Sequence, residues 1–384
     1  MKKLLLLATV VAAFTASAQD APYTLNKLWE QKVTVNNVSN TRQAFGMEGK
    51  FYVAEMAFSE GGAGKVLVVD RNGKTETEIE ATGSAISRDE AGNLILPATT
   101  FPNNWVADGD TPALRVVNPT TGEETIYALP DDEGFKGIGR SDAIGFAKGD
   151  LTNDGVLYLV GNTLGANVAI VTITAGELDL DNSYIAAMSA NIAVNTQSIN
   201  HYFVDADGNE KVFHVTRNAA PQMMEFDGDN LACTGLTLPN KGACVGAHPF
   251  AFDGKNFIVY PTLPNYLDGF AVAEIGAETA LFEVPAVATA NPNGSQSNWV
   301  NAEVVDENTV LIYQYVPGND AGHATVYEMK KTNTAVSNVN AAKSVSSVKY
   351  VNVAGQVSDS AFDGVNMVVT TYTDGTQATA KMVK

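Results

Sequence analysis

Cysteine, histidine and positive charge are all scarce in this chain, and so is any apolar run long enough to cross a membrane. Of 384 residues only Cys233 and Cys244 are cysteine, which excludes a disulfide-dense small scaffold and leaves no CxxC redox or zinc-ribbon set. Lys and Arg number 24 against 43 Asp and Glu, a formal charge of −19. A field of that sign repels nucleic acid and anionic lipid, so neither is an expected partner. The apolar run from Leu4 to Phe14 falls well short of a spanning helix. No G-x-S-x-G elbow, HExxH helix, P-loop or dinucleotide fingerprint occurs, which removes the hydrolase, metalloprotease and nucleotide chemistries most legible in sequence. Helical periodicity is nearly absent between Gln19 and Lys331. Disorder is excluded too, because 45% of residues are apolar and only 17% charged.

What is present begins with a leader. Met1-Lys-Lys3 supplies a positive start, Leu4 to Phe14 an apolar core, and Ala16-Ser17-Ala18 a small-residue cut before Gln19. Residues 1–18 are therefore expected to be a removable signal peptide, with no cysteine near the cut to mark a lipoprotein. Residues 19–331 form the body, 332–344 a linker rich in Asn, Ser, Thr and Ala, and 345–384 a separate tail.

The body repeats one phrase: a polar start, a strand, an acidic-glycine turn, and a second strand. It occurs at Arg42–Val53, Ser84–Leu96, Ala143–Val160, Asn200–Val212, His248–Val259 and Trp299–Tyr313. Each phrase is followed by further strands, as at Val66–Asp70 and Thr75–Ile79, giving four strands per unit of roughly 40–60 residues. This spacing predicts an all-β fold, a six-bladed β-propeller. The last unit lacks a strand, and Leu28–Val35 is the natural candidate to complete it. The blade grammar resembles the six-bladed propellers that include NHL-type and gluconolactonase-like domains. Seven blades remain open because Phe101–Ala143 is loosely patterned, and two β-sandwich domains are the other architecture.

In a propeller, the residues that start the inner strands ring one mouth of the channel. Aligning the phrases places Arg42, Ser84, Arg140 with Asp142, Asn200 with His201, His248, and Asn298 with Trp299 at those starts. His201 and His248 are expected to share a metal or a ligand oxygen, Arg42 and Arg140 to hold a carboxylate, and Trp299 to stack on a ligand. The plain alternative is that such positions are polar because they meet water. No catalytic residue is assignable, and no cofactor is expected. Ca²⁺ is the one candidate: Asp150 to Gly155 opens like a calcium loop, but Gly161 stands where the bidentate Glu is required. Asp205-Ala-Asp207-Gly208 is similar, and both also read as hairpin turns. Cys233 and Cys244 are either a disulfide clip or two free thiols.

The tail carries the most specific signal. Tyr350, Gly355-Gln356, Gly364, Asp374-Gly375 and the stretch Lys381 to Lys384 mark short strands joined by glycine turns. The pattern resembles the C-terminal sorting domain of the type IX secretion system, with Asn366 departing from the usual aromatic. The resemblance implies a small β-sandwich-like module of three strands, read by the export machinery and the outer-membrane translocon. It implies a protein released or attached at the cell surface. The expected function is a secreted or surface propeller that binds a glycan, peptide or host surface at one channel mouth. A carbohydrate- or lactone-acting lyase or hydrolase at the same mouth is the alternative, and a structural surface component the third.

Overall fold

A computed structural model describes residues 22–34, 41–55, 64–81, 85–98, 112–139, 141–161, 164–190, 192, 194–195, 197–216, 219–239, 246–262, 269–285, 298–317, 321–332, 345–373 and 375–384. The chain divides into two compact units, a body of Leu25–Lys330 and a tail unit of Lys331–Lys384 with Met1–Thr24. Among the described residues no helix is long and apolar enough to cross a membrane.

Among the described residues the body is all-β but for one short helix. After β1 (Tyr23–Val33), the first sheet is made by β2 (Thr41–Met47), β3 (Lys50–Glu55), β4 (Gly64–Val69) and β5 (Thr75–Ala81). The second follows with β6 (Ser87–Arg88), β7 (Leu94–Pro97), β8 (Ala113–Val117) and β9 (Glu124–Ala128). Helix α1 (Glu133–Lys136), capped by the Asp132 side chain, leads to the third. That sheet holds β10 (Lys148–Gly149), β11 (Gly155–Leu159) and β12 (Asn167–Thr174), whose outer neighbour is split into β13 (Glu177–Leu178) and β14 (Tyr184–Ala187). The fourth sheet is β15 (Ile199–Val204), β16 (Glu210–Thr216), β17 (Ala219–Asp227) and β18 (Asn230–Gly235). The fifth is β19 (His248–Phe252), β20 (Lys255–Pro261), β21 (Phe270–Glu274) and β22 (Phe282–Val284). In the sixth, β23 (Trp299–Asp306), β24 (Thr309–Pro317) and β25 (Gly322–Lys331) are completed by β1, which lies beside β25. The missing strand is thus supplied from the N-terminal side, beginning at Tyr23.

Local chemistry explains the hairpins. Asp70 Oδ1 accepts from the N–H groups of Asn72 (2.8 Å) and Lys74 (2.9 Å), and Asp205 Oδ1 does the same for Asp207 (3.0 Å) and Asn209 (2.8 Å). The glycine of the second turn, Gly208, takes φ 84, open to a residue without Cβ. The acidic loops weighed as calcium sites spend carboxylate oxygens in the same way. Asp150 Oδ1 accepts from Thr152 N–H (2.8 Å) and Oγ1 (2.6 Å), and Asp154 Oδ1 from Ala175 N–H (3.0 Å).

Packing between sheets builds the core. Second strands such as Leu94–Pro97 are buried along their whole length, because a sheet covers each face. One apolar cluster joins Phe45, Tyr52 and Val68 of the first sheet to Ile86, Leu94 and Leu96 of the second. Others join the second to the third and the third to the fourth. A larger one runs through the fourth, fifth, sixth and first sheets, where Phe51 meets Tyr313 edge to face at 5.5 Å. The succession of contacts therefore returns to its start.

The tail, taken by itself, is a single antiparallel sheet and not the three-stranded sandwich-like module expected. Its four strands lie in the order β27 (Val357–Ser358), β26 (Val345–Asn352), β28 (Val365–Tyr372), β29 (Gln377–Val383). Tyr350 pairs with Val368 and Ser358, Lys381 with Met367, and Gly364 exchanges backbone hydrogen bonds with Lys384 at 3.0 and 3.2 Å. Gly355 N–H donates to the Asn352 carbonyl and Gln356 N–H to the Asn352 side chain (both 2.9 Å), and Gly375 N–H donates to the Tyr372 carbonyl (3.0 Å). Asp374 lies outside the described residues. The departure at Asn366 has a physical role. Its buried amide accepts from Phe362 N–H (2.8 Å) and donates to the carbonyls of Phe362 (2.7 Å) and Gly364 (3.0 Å).

Candidate functional site

Among the described residues the first strand of each of the six body sheets lies at a sheet edge, so backbone groups on its free side must be met otherwise. Side chains of neighbouring sheets meet many of them. Gln43 accepts from Ile86 N–H (3.0 Å) and Ile144 N–H (2.9 Å) and donates to the Ile144 carbonyl (2.7 Å). Asn301 accepts from Gly46 N–H (2.7 Å) and donates to its carbonyl (2.8 Å). Ser87 Oγ donates to the Gly145 carbonyl at 2.5 Å.

His201 and His248 belong to this set. The structure brings them together, ring centroids 5.1 Å apart and nearly perpendicular, each also packed on Phe146. Their Nδ1 atoms accept from backbone: Phe146 N–H at 3.1 Å for His201, Ala302 N–H at 3.3 Å for His248. An accepting Nδ1 is unprotonated, so both neutral rings carry the proton on Nε2. His201 gives that second nitrogen to the backbone of Ala247. Burial pushes His201 down to about 3, with Arg88 adding to the effect and the Ala247 bond opposing it. It also holds His248 well below the ordinary value, aided by His201 and Arg88. The rings act as braces between sheets. His201 has no free nitrogen for a metal or a proton, and only Nε2 of His248 is left without a partner among the described residues. The pair on which the lyase or hydrolase alternative relied lies together, with His248 alone offering a nitrogen.

A cavity of about 380 Å³ opens beside the braces. Its lining comes from five sheets: Arg88 to Glu90, Phe146, Tyr202 to Val204, His248 to Ala251, and Ala302 to Val304. Arg88, Val204 and Glu303 lie at or beyond the middle of their strands, whereas His248, one of the strand-start residues to which the sequence pointed, opens β19 and also lines the pocket. Arg88 is the informative group. Its Cζ sits 4.6 Å from the Phe146 ring centroid, and Nη1 donates to the Asp89 carbonyl at 3.2 Å. Nε is buried without an acceptor, and the guanidinium makes no ion pair among the described residues. Burial lowers its pKa, opposed chiefly by Glu303. Asp89 is immobilised by Asn93 and by Leu151 N–H (2.9 Å), and its pKa is raised by burial. Glu90 accepts from Gly149 N–H at 2.8 Å, and Glu303 from Tyr313 OH at 2.5 Å and Glu48 N–H at 3.1 Å. Val204 and Val304 form an exposed apolar rim. Sequence reasoning missed Arg88, which stands directly before the acidic turn residues Asp89 and Glu90 and so reads as one more charged residue of a hairpin.

The other expected site residues lie elsewhere. Trp299 is a correction: only 4% exposed, it packs in the core with its indole N–H buried and unpartnered, so it offers no face to a ligand. One residue of register separates it from Val300, and in a strand that reverses the side-chain direction. Arg42 lies in β2, but its side chain, like all of Arg140, is outside the described residues. Cys244 is outside them too, and Cys233 is a free thiol among them.

No protein-family model matches the sequence, and no curated protein matches it. Solved structures share a distant likeness. A protein of unknown function from Dyadobacter fermentans is 11% identical, with 80% of this chain and 99% of that chain covered at a TM-score of 0.49. Trypanosoma rangeli sialidase is 10% identical, with 80% and 59% covered at 0.44. The Malassezia sympodialis allergen Mala s 1 is 10% identical, with 79% and 96% covered at 0.42. The reading of this fold and site rests on its own sheets and residues.

Proposed function

We propose that the body is a six-bladed propeller sealed by β1, and that it binds a small ligand in the axial pocket beside Arg88. The supporting observation is the guanidinium itself. A half-buried cation with no ion pair among the described residues, lining a cavity made by five sheets, is stabilised by a ligand oxygen that accepts from its Nη hydrogens. Glycans bearing a sugar acid and peptides both supply such a group. Replacing Arg88 with Gln removes the charge while keeping a polar side chain of similar reach. The full chain is expected to bind at least one carboxylate-bearing compound from a glycan and peptide screen by calorimetry. R88Q is expected to weaken that binding by roughly tenfold to a hundredfold. A ligand bound equally by both proteins would place the site elsewhere.

The two ends support export. A signal peptide over residues 1–18 and a sorting module over 345–384 together describe a protein delivered through the outer membrane, then released or held at the surface. Removing residues 345–384 is expected to retain the body inside a secreting host cell, scored by immunoblot of medium, surface and periplasm. Equal surface or medium yield with and without the tail would discard the sorting role.

A further inference from the structure

We infer that the axial pocket takes a small zwitterion of the α-amino-acid type, its carboxylate on Arg88 and its ammonium on Glu303 and Glu90. This rests on the pocket being the binding site. Three charged groups line it with no ion pair among the described residues: one guanidinium and the two carboxylates. Asp89 is set apart by burial: it is 1% exposed with its oxygens held by Asn93 and Leu151, whereas Glu303, whose oxygens accept from Tyr313 OH and Glu48 N–H, is half-buried and Glu90 is exposed. Glu303 lies close enough to act on Arg88 electrostatically, yet the two do not meet as a salt bridge. The opposite charges are therefore held apart with space between them.

That arrangement discriminates. A plain carboxylate placed on Arg88 faces two like charges across the cavity, and a plain amine placed on the glutamates faces the guanidinium. A molecule carrying both charges satisfies all three groups, so a ligand of mismatched charge is penalised. Neutral His248 adds an uncommitted Nε2–H donor for a carboxylate oxygen. The remaining wall is apolar: Phe250 and Pro249 line it, and the rim valines, Val204 at 40% and Val304 at 46% exposed, flank the opening. An aliphatic side chain fits that surface better than a run of hydroxyl groups.

Leucine, 4-methylpentanoate, 3-methylbutylamine and glucuronate titrated into the full chain by calorimetry separate the cases. Leucine is expected to bind, and each analogue lacking one charge to bind at least about tenfold more weakly. In E303Q, which keeps an oxygen acceptor for Tyr313, leucine is expected to lose about tenfold while 4-methylpentanoate gains. Melting temperatures of E303Q and R88Q check that both remain folded. Glucuronate binding that depends on Arg88, with leucine silent, would overturn the zwitterion while leaving the pocket as the site. Binding of any of the four that ignores R88Q would overturn both readings.

Discussion

Gly145→Ala is expected to prevent the body from folding. An ideal Cβ at Gly145 would stand 1.6 Å from the Asn200 carbonyl oxygen, 2.3 Å from its carbon and 2.9 Å from the His201 nitrogen. All three are backbone atoms, so no rotamer change relieves the overlap. The same strip is clamped on the other side, where the Gly145 carbonyl accepts from Ser87 of the second sheet, so it cannot simply retreat. Moving it away from the fourth sheet to admit a methyl group breaks the bond from Tyr202 N–H to Phe146 O (2.9 Å) and the brace from Phe146 N–H to His201. The expected loss exceeds about 4 kcal/mol, a large part of the stability of an ordinary domain. Gly254→Ala is the control. It has a φ of 70 but nothing within 4 Å, so only the backbone penalty of about 1–2 kcal/mol applies. Near-ultraviolet circular dichroism and urea unfolding check this, and a native-like G145A melting close to G254A would refute the close approach.

Mild acid is expected to unfold the protein well before its carboxylates protonate. His201, His214 and His248 are buried; desolvation takes His201 to about 3, His214 to about 4, and His248 well below its ordinary value. Unfolded histidines accept a proton near 6.5, whereas the folded ones resist it until far lower pH. The unfolded state therefore binds more protons in that window, and stability falls as pH drops below 6.5. Each histidine contributes about 1.4 kcal/mol per pH unit. Between pH 7.5 and 5.0 the three together remove roughly 4–6 kcal/mol. Asp70, Asp179 and Asp205, whose pKa values are lowered mainly by turn hydrogen bonds, add losses only below their ordinary range near 3.8. Asp89 has the opposite sign, since its raised value favours the folded state as it protonates. Urea midpoints at the two pH values measure the effect, and identical midpoints would mean that the imidazoles are hydrated after all. His214→Gln should reduce the slope by about one histidine's share.

Much of this architecture is legible in the sequence because hairpin chemistry is local. Asp70, Asp150 and Asp205 bind N–H groups a few residues ahead, so an acidic residue followed by glycine announces its turn wherever the chain goes next. The strand missing from the sixth unit and its replacement near Trp29 could be counted for the same reason. The pocket depends on contacts between distant segments. Arg88, Phe146, His248 and Glu303 meet only because the inner strands converge, and no spacing in the chain encodes that. The histidine pair shows the limit from the other side. Aligned phrases identified two neighbouring imidazoles, but a ligand and a backbone N–H make the same demand on a ring nitrogen. Trp299 failed because the sequence marks where a strand starts and not whether the side chain there is buried, as this one is.

The strand Tyr23–Val33 sits at the outer edge of a sheet whose other members are synthesised last. Its natural neighbour, Gly322–Lys331, does not yet exist while the earlier sheets emerge. Until Gly322–Lys331 has been made, the opening segment is a sticky, orphaned ribbon, and any product cut short before that strand leaves it so. A chain organised this way matures all at once, by a slow long-range closure of the kind that high contact order imposes. Holdase protection of the nascent polypeptide is then a requirement set by topology.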